Sequence, residues 1–107
     1  MLPEALKYAR KALAADPDSW RVHNLLGAIY TDQKEFGRAI DAFKAAMRLA
    51  PNEPMSHSDI AKVYLAQGKY DDALKSVETA VRLAPRDPYF QEQRRQIQAV
   101  ISSSKNE

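Results

Sequence analysis

The residues best suited to chemistry in this chain are two histidines, His23 and His57, set 34 residues apart. Paired imidazoles can hold a metal ion or pass a proton, because histidine titrates near neutrality and ligates metals readily. The bland alternative is that each fills a half-buried slot near one end of a helix pair. Helix axes that lie side by side are about 8–10 Å apart, long for two ligands to one ion. No cysteine occurs, which removes thiolate metal sites, disulfides and thiol catalysis. Asp71 with Asp72, and Asp16 with Asp18, pair carboxylates where helices start and the dipole favours them. Ser102, Ser103 and Ser104 have no paired base, and Ser56 and Ser58 open a helix, where capping or solvent contact accounts for them. Three glycines cannot build a phosphate-cradling loop. On these residues the chain is not an enzyme and needs neither metal nor cofactor.

Composition bounds the elements that position these residues. At 107 residues with 45% apolar and 28% charged content, one folded domain is expected. The longest apolar run, Leu25–Tyr30, falls far short of the roughly 20 residues of a membrane helix. Pro3, Glu4 and Lys7 stand where a secretory signal would be apolar. The expectation is therefore a cytoplasmic protein without membrane contact, although the chain begins inside a repeat and a preceding segment is not visible. The formal charge of +2 is spread along the chain, unlike the clustered basic face of a nucleic-acid binder.

The 34-residue spacing extends well beyond the histidines. Trp20–Glu53 laid over Pro54–Asp87 gives nine identities: His23/His57, Tyr30/Tyr64, Gln33/Gln67, Ala39/Ala73, Ala46/Ala80, Arg48/Arg82, Leu49/Leu83, Ala50/Ala84 and Pro51/Pro85. A fixed period of this length marks an array of stacked supersecondary units rather than a globule around one buried site. In the first unit Val22, Leu25, Leu26, Ile29 and Tyr30 form one helical stripe, and Phe36, Ile40, Phe43 and Met47 form another. The second unit repeats this with Ile60, Val63, Tyr64, then Tyr70, Leu74, Val77 and Val81. Each unit reads as a helical hairpin. Pro17, Pro51 and Pro85 follow the second helices and stop them, and Asp87-Pro88 opens another helix as cap and first-turn proline. Gly68 sits in one hairpin turn and Lys34 in the other. If the turns share a geometry, Lys34 bears a left-handed penalty of roughly 1 kcal/mol.

Leu26-Gly27-x-x-Tyr30, Ala39-x-x-x-Phe43, Ala46 and Pro51 resemble the tetratricopeptide repeat (TPR), and Ile60-Ala61-x-x-Tyr64, Ala73, Ala80 and Pro85 resemble a second copy. His23 and His57 replace the usual large aromatic residue, Val77 stands for Phe43, and Lys34 takes the usual glycine turn. The resemblance implies an all-α fold: a right-handed superhelical α-α solenoid of helical hairpins with about six helices. Gly27 or Ala61 is expected to face Ala39 or Ala73, with Tyr30 or Tyr64 filling the remaining volume. Leu2, Ala5, Leu6, Ala12 and Pro17 match Phe36, Ala39, Ile40, Ala46 and Pro51, so residues 1–19 hold the second helix of an incomplete leading repeat. Full repeats follow at 20–53 and 54–87. Residues 88–102 read as a capping helix with Phe90, Ile97 and Ile101 on one side and Gln91, Arg94, Arg95 and Gln98 on the other, and 103–107 as a polar tail.

In the resembling family the first helices line a concave groove that takes a peptide or helix of a partner protein. By helical phase the groove residues are Arg21, Asn24, Ala28, Thr31 and Asp32, then Met55, Ser58, Asp59, Lys62 and Leu65, then Tyr89, Glu92, Gln93 and Gln96. The expected function is a scaffold or adaptor that binds another protein. TPR domains that hold acidic chaperone tails use a clamp of lysine, arginine and asparagine. Only Asn24 resembles part of it, with Ala28, Asp59 and Gln93 at the other places, so chaperone-tail binding is not expected. Self-association through the uncovered side of the leading helix, Ala5, Ala9 and Ala12, is the alternative. RNA-reading helical repeats need a basic groove, whereas Asp32, Asp59 and Glu92 offset Arg21 and Lys62 here.

Overall fold

The computed structural model describes residues 2–105, with side chains from residue 4. The side chain of Leu2, matched to Phe36, and the tail residues Asn106 and Glu107 lie outside what is described. Six helices run in order: α1 Leu2–Ala15, α2 Trp20–Asp32, α3 Phe36–Leu49, α4 Pro54–Ala66, α5 Tyr70–Leu83 and α6 Pro88–Lys105. The chain divides into two compact units, Met1–Asn52 and Glu53–Glu107.

In the first unit α2 and α3 form a hairpin, and α1 packs on α2. Gly27 is the point of closest approach: a Cβ built there would lie 2.5 Å from the Phe43 ring. The nearest neighbour of Gly27 is thus the Phe43 ring, not the expected Ala39, because the ring reaches across into the space the glycine leaves. Ala39, Phe43 and Ala46 are almost completely buried beside it. Ala9 of α1 is buried with Leu26, Ile29 and Ala42, while Leu6, Leu13 and Tyr30 cover that cluster. Ala9 is therefore not on an uncovered side of α1, which corrects the expectation; Ala12 is exposed.

In the second unit α4 and α5 form the hairpin, and α6 lies against both. Ala61, Ala73, Val77 and Ile97 form its core, closed by Tyr64, Leu65, Leu74 and Ile101. Here the pair is Ala61 with Val77 where the first unit has Gly27 with Phe43. As the first-helix residue gains a methyl group, the facing residue loses an aromatic ring.

The two hairpin turns are the same. Lys34 has φ 61° and Gly68 φ 75°. The Lys34 N–H donates to the Thr31 carbonyl and the Glu35 N–H to Tyr30, while Gly68 donates to Leu65 and Lys69 to Tyr64. This is the Schellman closure, in which a left-handed residue satisfies the last helical carbonyls. The first helices start on side-chain caps: Ser19 accepts from the Val22 N–H, Glu53 from Met55 and Asp87 from Tyr89. Ser19, and not Asp18, is the cap of α2.

Helix α6 continues through Lys105, so residues 103–105 are helical rather than a tail. Leu49 and Leu83 end helices shortly before a proline; Ser102–Lys105 contains neither proline nor glycine, and nothing local breaks the hydrogen-bonded ladder. Phe90 and Ile97 are buried, while Gln91, Arg95 and Gln98 are exposed and Arg94, expected on the same polar face, is half-buried.

Candidate interaction surface

In unit 2 the candidate residues of α4 and α6 fall into two groups. Ser58 is completely buried. Its Oγ donates to Gln93 Oε1 at 2.5 Å, and Gln93 Nε2 donates back to the Ser58 carbonyl at 2.9 Å. Helical phase aims these two at a ligand, and the structure instead uses them to join α6 to α4. A buried amide needs both its donor and its acceptor satisfied, and one serine supplies both. Ser56 is also buried, so neither serine of α4 is a solvent-facing cap. Leu65 packs on the core of unit 2 and is only partly open.

The second group is open. Lys62 Nζ donates to Tyr89 Oη at 2.8 Å and pairs with Asp59 Oδ1 at 3.6 Å. Partial burial by itself would lower the Lys62 pKa, but the hydrogen bond to Tyr89 and the Asp59 carboxylate outweigh it, and the net shift is upward. Lys62 therefore stays cationic across the physiological range. Tyr89 is 47% exposed, with its ring set edge-on to Phe90 at 5.3 Å. Lys62 thus holds an exposed aromatic side chain in place. One turn along α6, Glu92 accepts from Arg95 at 2.7 and 2.9 Å and from Gln96 at 3.4 Å. Arg95 occupies the place of Gly27 and Ala61, and its bulk and ion pair suit a face turned to water. Met55 is half-buried at the start of α4.

In unit 1 the Arg21 guanidinium carbon lies over the Trp20 ring, 4.8 Å from its centroid. Ala28 and Asp32 are exposed, and Asn24 is half-buried. Thr31 Oγ1 donates to the Gly27 carbonyl at 2.7 Å, so its hydroxyl is engaged by its own helix. Leu25 belongs to the apolar stripe of α2 in the sequence, yet it is 49% exposed and shares a face with Arg21 and Ala28. The signal was available in the repeat: its equivalents are Asp59 and Gln93, and a position that tolerates these is not core.

His23 has a structural role. His23 Nε2 lies 2.9 Å from the Pro17 carbonyl oxygen, the proline that follows α1. Gln91, at the same place in α6, donates its Nε2–H to the Pro85 carbonyl. At these two places a side-chain donor satisfies a carbonyl after a helix end, and glutamine serves as well as histidine. Among the described residues no group of three or more His, Asp or Glu could hold a metal ion, and no helix is long and apolar enough to cross a membrane.

Family models of the tetratricopeptide repeat match residues 30–97 and residues 2–54. No curated protein sequence matches. Among solved structures, a thermophilic TPR protein of Thermus thermophilus is similar over 92% of this chain and 50% of its own, with 26% identity and TM-score 0.88. The chain thus spans half the length of that protein. The first TPR domain of the human RPAP3 protein is similar over 98% of this chain and 83% of its own, with 23% identity and TM-score 0.87. The first TPR of Spaghetti (RPAP3), bound to the HSP90 peptide SRMEEVD, is similar over 94% of this chain and 80% of its own, with 22% identity and TM-score 0.84. These likenesses show the fold, an all-α solenoid of helical hairpins. With one model covering well over half of its residues, the chain belongs to the tetratricopeptide repeat family.

Proposed function

We propose that this chain is a non-catalytic protein–protein interaction module, a scaffold or adaptor, whose first helices take a peptide segment or helix of a partner protein. The observation that carries this reading is where the repeats disagree. On the first helices the positions that match between repeats, Leu26/Ile60, Gly27/Ala61 and Ile29/Val63, are buried, with His23/His57 and Tyr30/Tyr64 half-buried, whereas Arg21, Ala28, Asp32, Lys62, Tyr89, Glu92 and Gln96 differ and are exposed. Stacking explains the first set and leaves the second available for contact. In unit 1 the surface is the outer face of α2. In unit 2 it is Asp59, Lys62 and Tyr89, with Met55 beside them on α4. A cation, a carboxylate and an oriented aromatic ring suit a polar peptide with a few apolar anchors, since aromatic side chains dominate such contacts. The family likeness supports the same class of function, as one similar TPR domain holds a chaperone peptide. That particular ligand does not transfer, because Asp59 stands where a donor would be needed.

A photo-crosslinking residue placed at Tyr89 or Ala28 is expected to capture partner proteins in extract from the source cells, and one at Lys44 on α3 is not. Equal capture from Lys44, or undiminished recovery after replacing Asn24, Met55 and Lys62 together, would sink the reading. Self-association through α1 is the second reading, favoured by Tyr8, which is 68% exposed one turn from Ala12. A light-scattering mass that stays monomeric at every concentration would remove it.

A further inference from the structure

The outer faces of α3 and α5 mix charges of both signs, and that of α1 does not. Lys7, Arg10 and Lys11 are exposed and line one shallow groove with Leu6 and Ala14. Spacings of three and four residues put these cations side by side on the helix surface. At the places of Lys7 and Arg10, α3 carries Asp41 with Lys44, and α5 carries Lys75 with Glu78. Among the described residues no carboxylate pairs with Lys7, Arg10 or Lys11. Glu4 is the single acid of α1, and Asp16 comes after the helix has ended. The net charge of the whole chain is only +2, yet three unpaired cations on one helix face concentrate positive potential there.

Tyr8 stands beside them and is 68% exposed. Its equivalents are Ala42, which is buried, and Ser76, which is half-buried, so both hairpins keep this position small and α1 does not. The contact of α1 with its neighbours is made by Ala5, Leu6, Ala9 and Leu13, and the Tyr8 ring is not needed for it. An aromatic face set among lysines and arginines is the combination that holds a single strand of nucleic acid: bases stack on the ring while phosphates follow the positive groove. A duplex keeps its bases stacked inside, and tight duplex binders make more phosphate contacts than three cations supply. Binding to a membrane surface takes bulky apolar side chains on the bound face, and the leucines of α1 pack against the α2 cluster instead. An acidic polypeptide would engage the cations and bring no planar ring to Tyr8.

We infer that the outer face of α1 binds single-stranded nucleic acid, with backbone phosphates on Lys7, Arg10 and Lys11 and a base stacked on the Tyr8 ring. This activity is separate from the peptide binding proposed for the first helices and does not depend on it.

The test is fluorescence anisotropy of a labelled deoxythymidine oligomer titrated with the whole chain at low salt, with circular dichroism showing that every variant is folded. The oligomer is expected to bind, and the logarithm of its association constant to fall with the logarithm of salt concentration at a slope of about −2, the value for three phosphate contacts on a single strand. Replacing Lys7, Arg10 and Lys11 together by glutamine should weaken binding at least tenfold and flatten that slope. Tyr8→Leu should weaken it about tenfold, and Tyr8→Phe should leave it unchanged because the stacking face remains. Lys44→Gln with Arg48→Gln on α3 should have little effect. Absence of binding at low salt overturns the inference, as does binding that Tyr8→Leu leaves intact. A duplex or polyglutamate bound as tightly as the oligomer overturns it in favour of a general polyanion surface, and retention on phosphatidylserine vesicles without oligomer binding overturns it in favour of a membrane. None of these outcomes touches the crosslinking expected at Tyr89 and Ala28, which tests the peptide-binding reading on its own.

Discussion

The two hairpins solve one packing problem with different residues. In α2–α3 a glycine faces a phenylalanine, Gly27 with Phe43, and in α4–α5 an alanine faces a valine, Ala61 with Val77. The flanking alanines are the same in both and completely buried. What the repeat conserves is therefore the summed volume between the helices and not the identity of either residue. Protein cores are packed densely enough that one side of a contact cannot change size alone. The outer faces of α2 and α4 are under no such constraint, and there the copies diverge freely.

The largest effect is expected from removing the ring. Phe43→Ala leaves a cavity against Gly27 and should cost about 3–5 kcal/mol in denaturant unfolding, with Val77→Ala costing visibly less. Next comes Gly27→Ala, which sets a Cβ against the Phe43 ring and should cost about 1–3 kcal/mol. Making Phe43→Val in the same chain installs the pair of the second hairpin in the first, and the double variant should be more stable than the two single losses summed. Strict additivity would refute the shared-volume account.

The position held by His23 and Gln91 probes the equivalence of the repeats from another side. His23→Ala should lose about 1 kcal/mol, the net worth of one hydrogen bond, whereas His23→Gln should lose little, since glutamine performs the same task in α6. Equal losses would mean that the imidazole does something else. In the turns, Lys34→Gly should gain roughly 1 kcal/mol by removing the left-handed penalty, and Gly68→Ala should lose a similar amount. A loss from the first change or a gain from the second would show that the turns are not equivalent.

The smallest effect concerns Lys62, whose side chain is half exposed. Its pKa is raised above the ordinary lysine value of 10.5, so its folded form holds the proton more tightly than the unfolded chain does. The stabilisation is fully present below about 10.5 and declines as pH rises through the higher folded value. The stability difference between the parent and Lys62→Met should accordingly narrow on alkaline titration, and a widening gap would contradict the pairing with Tyr89 and Asp59.

Much of the fold was legible because its causes are local. Pro17, Pro51 and Pro85 end helices through their own rings, and the positive φ at Lys34 follows from its equivalence to Gly68. The stop of α6 is expected too early, since the polar residues of Ser102–Lys105 look like a break where no residue enforces one. The exposure of the candidate residues was legible in part. Arg21, Ala28, Asp32, Lys62, Tyr89, Glu92 and Gln96 are exposed or partly so, as helical phase predicts. Ser58 and Gln93 have the same phase and are not available, because each is the other's partner.

The period, the hairpins, their turns and the alanines that let helices approach are all written in the order of the residues. They depend on backbone conformation and on contacts within one repeat length, and the same residues recur to enforce them. Which outward residues stay open is a different matter, settled by the packing of helix on helix. Whether Ser58 meets solvent or Gln93, whether Leu65 turns to the core, and whether Leu25 stands clear of it depend on which helix lies alongside. That neighbour is set by the assembly of whole helices, whose members lie as far as 35 residues apart in the chain.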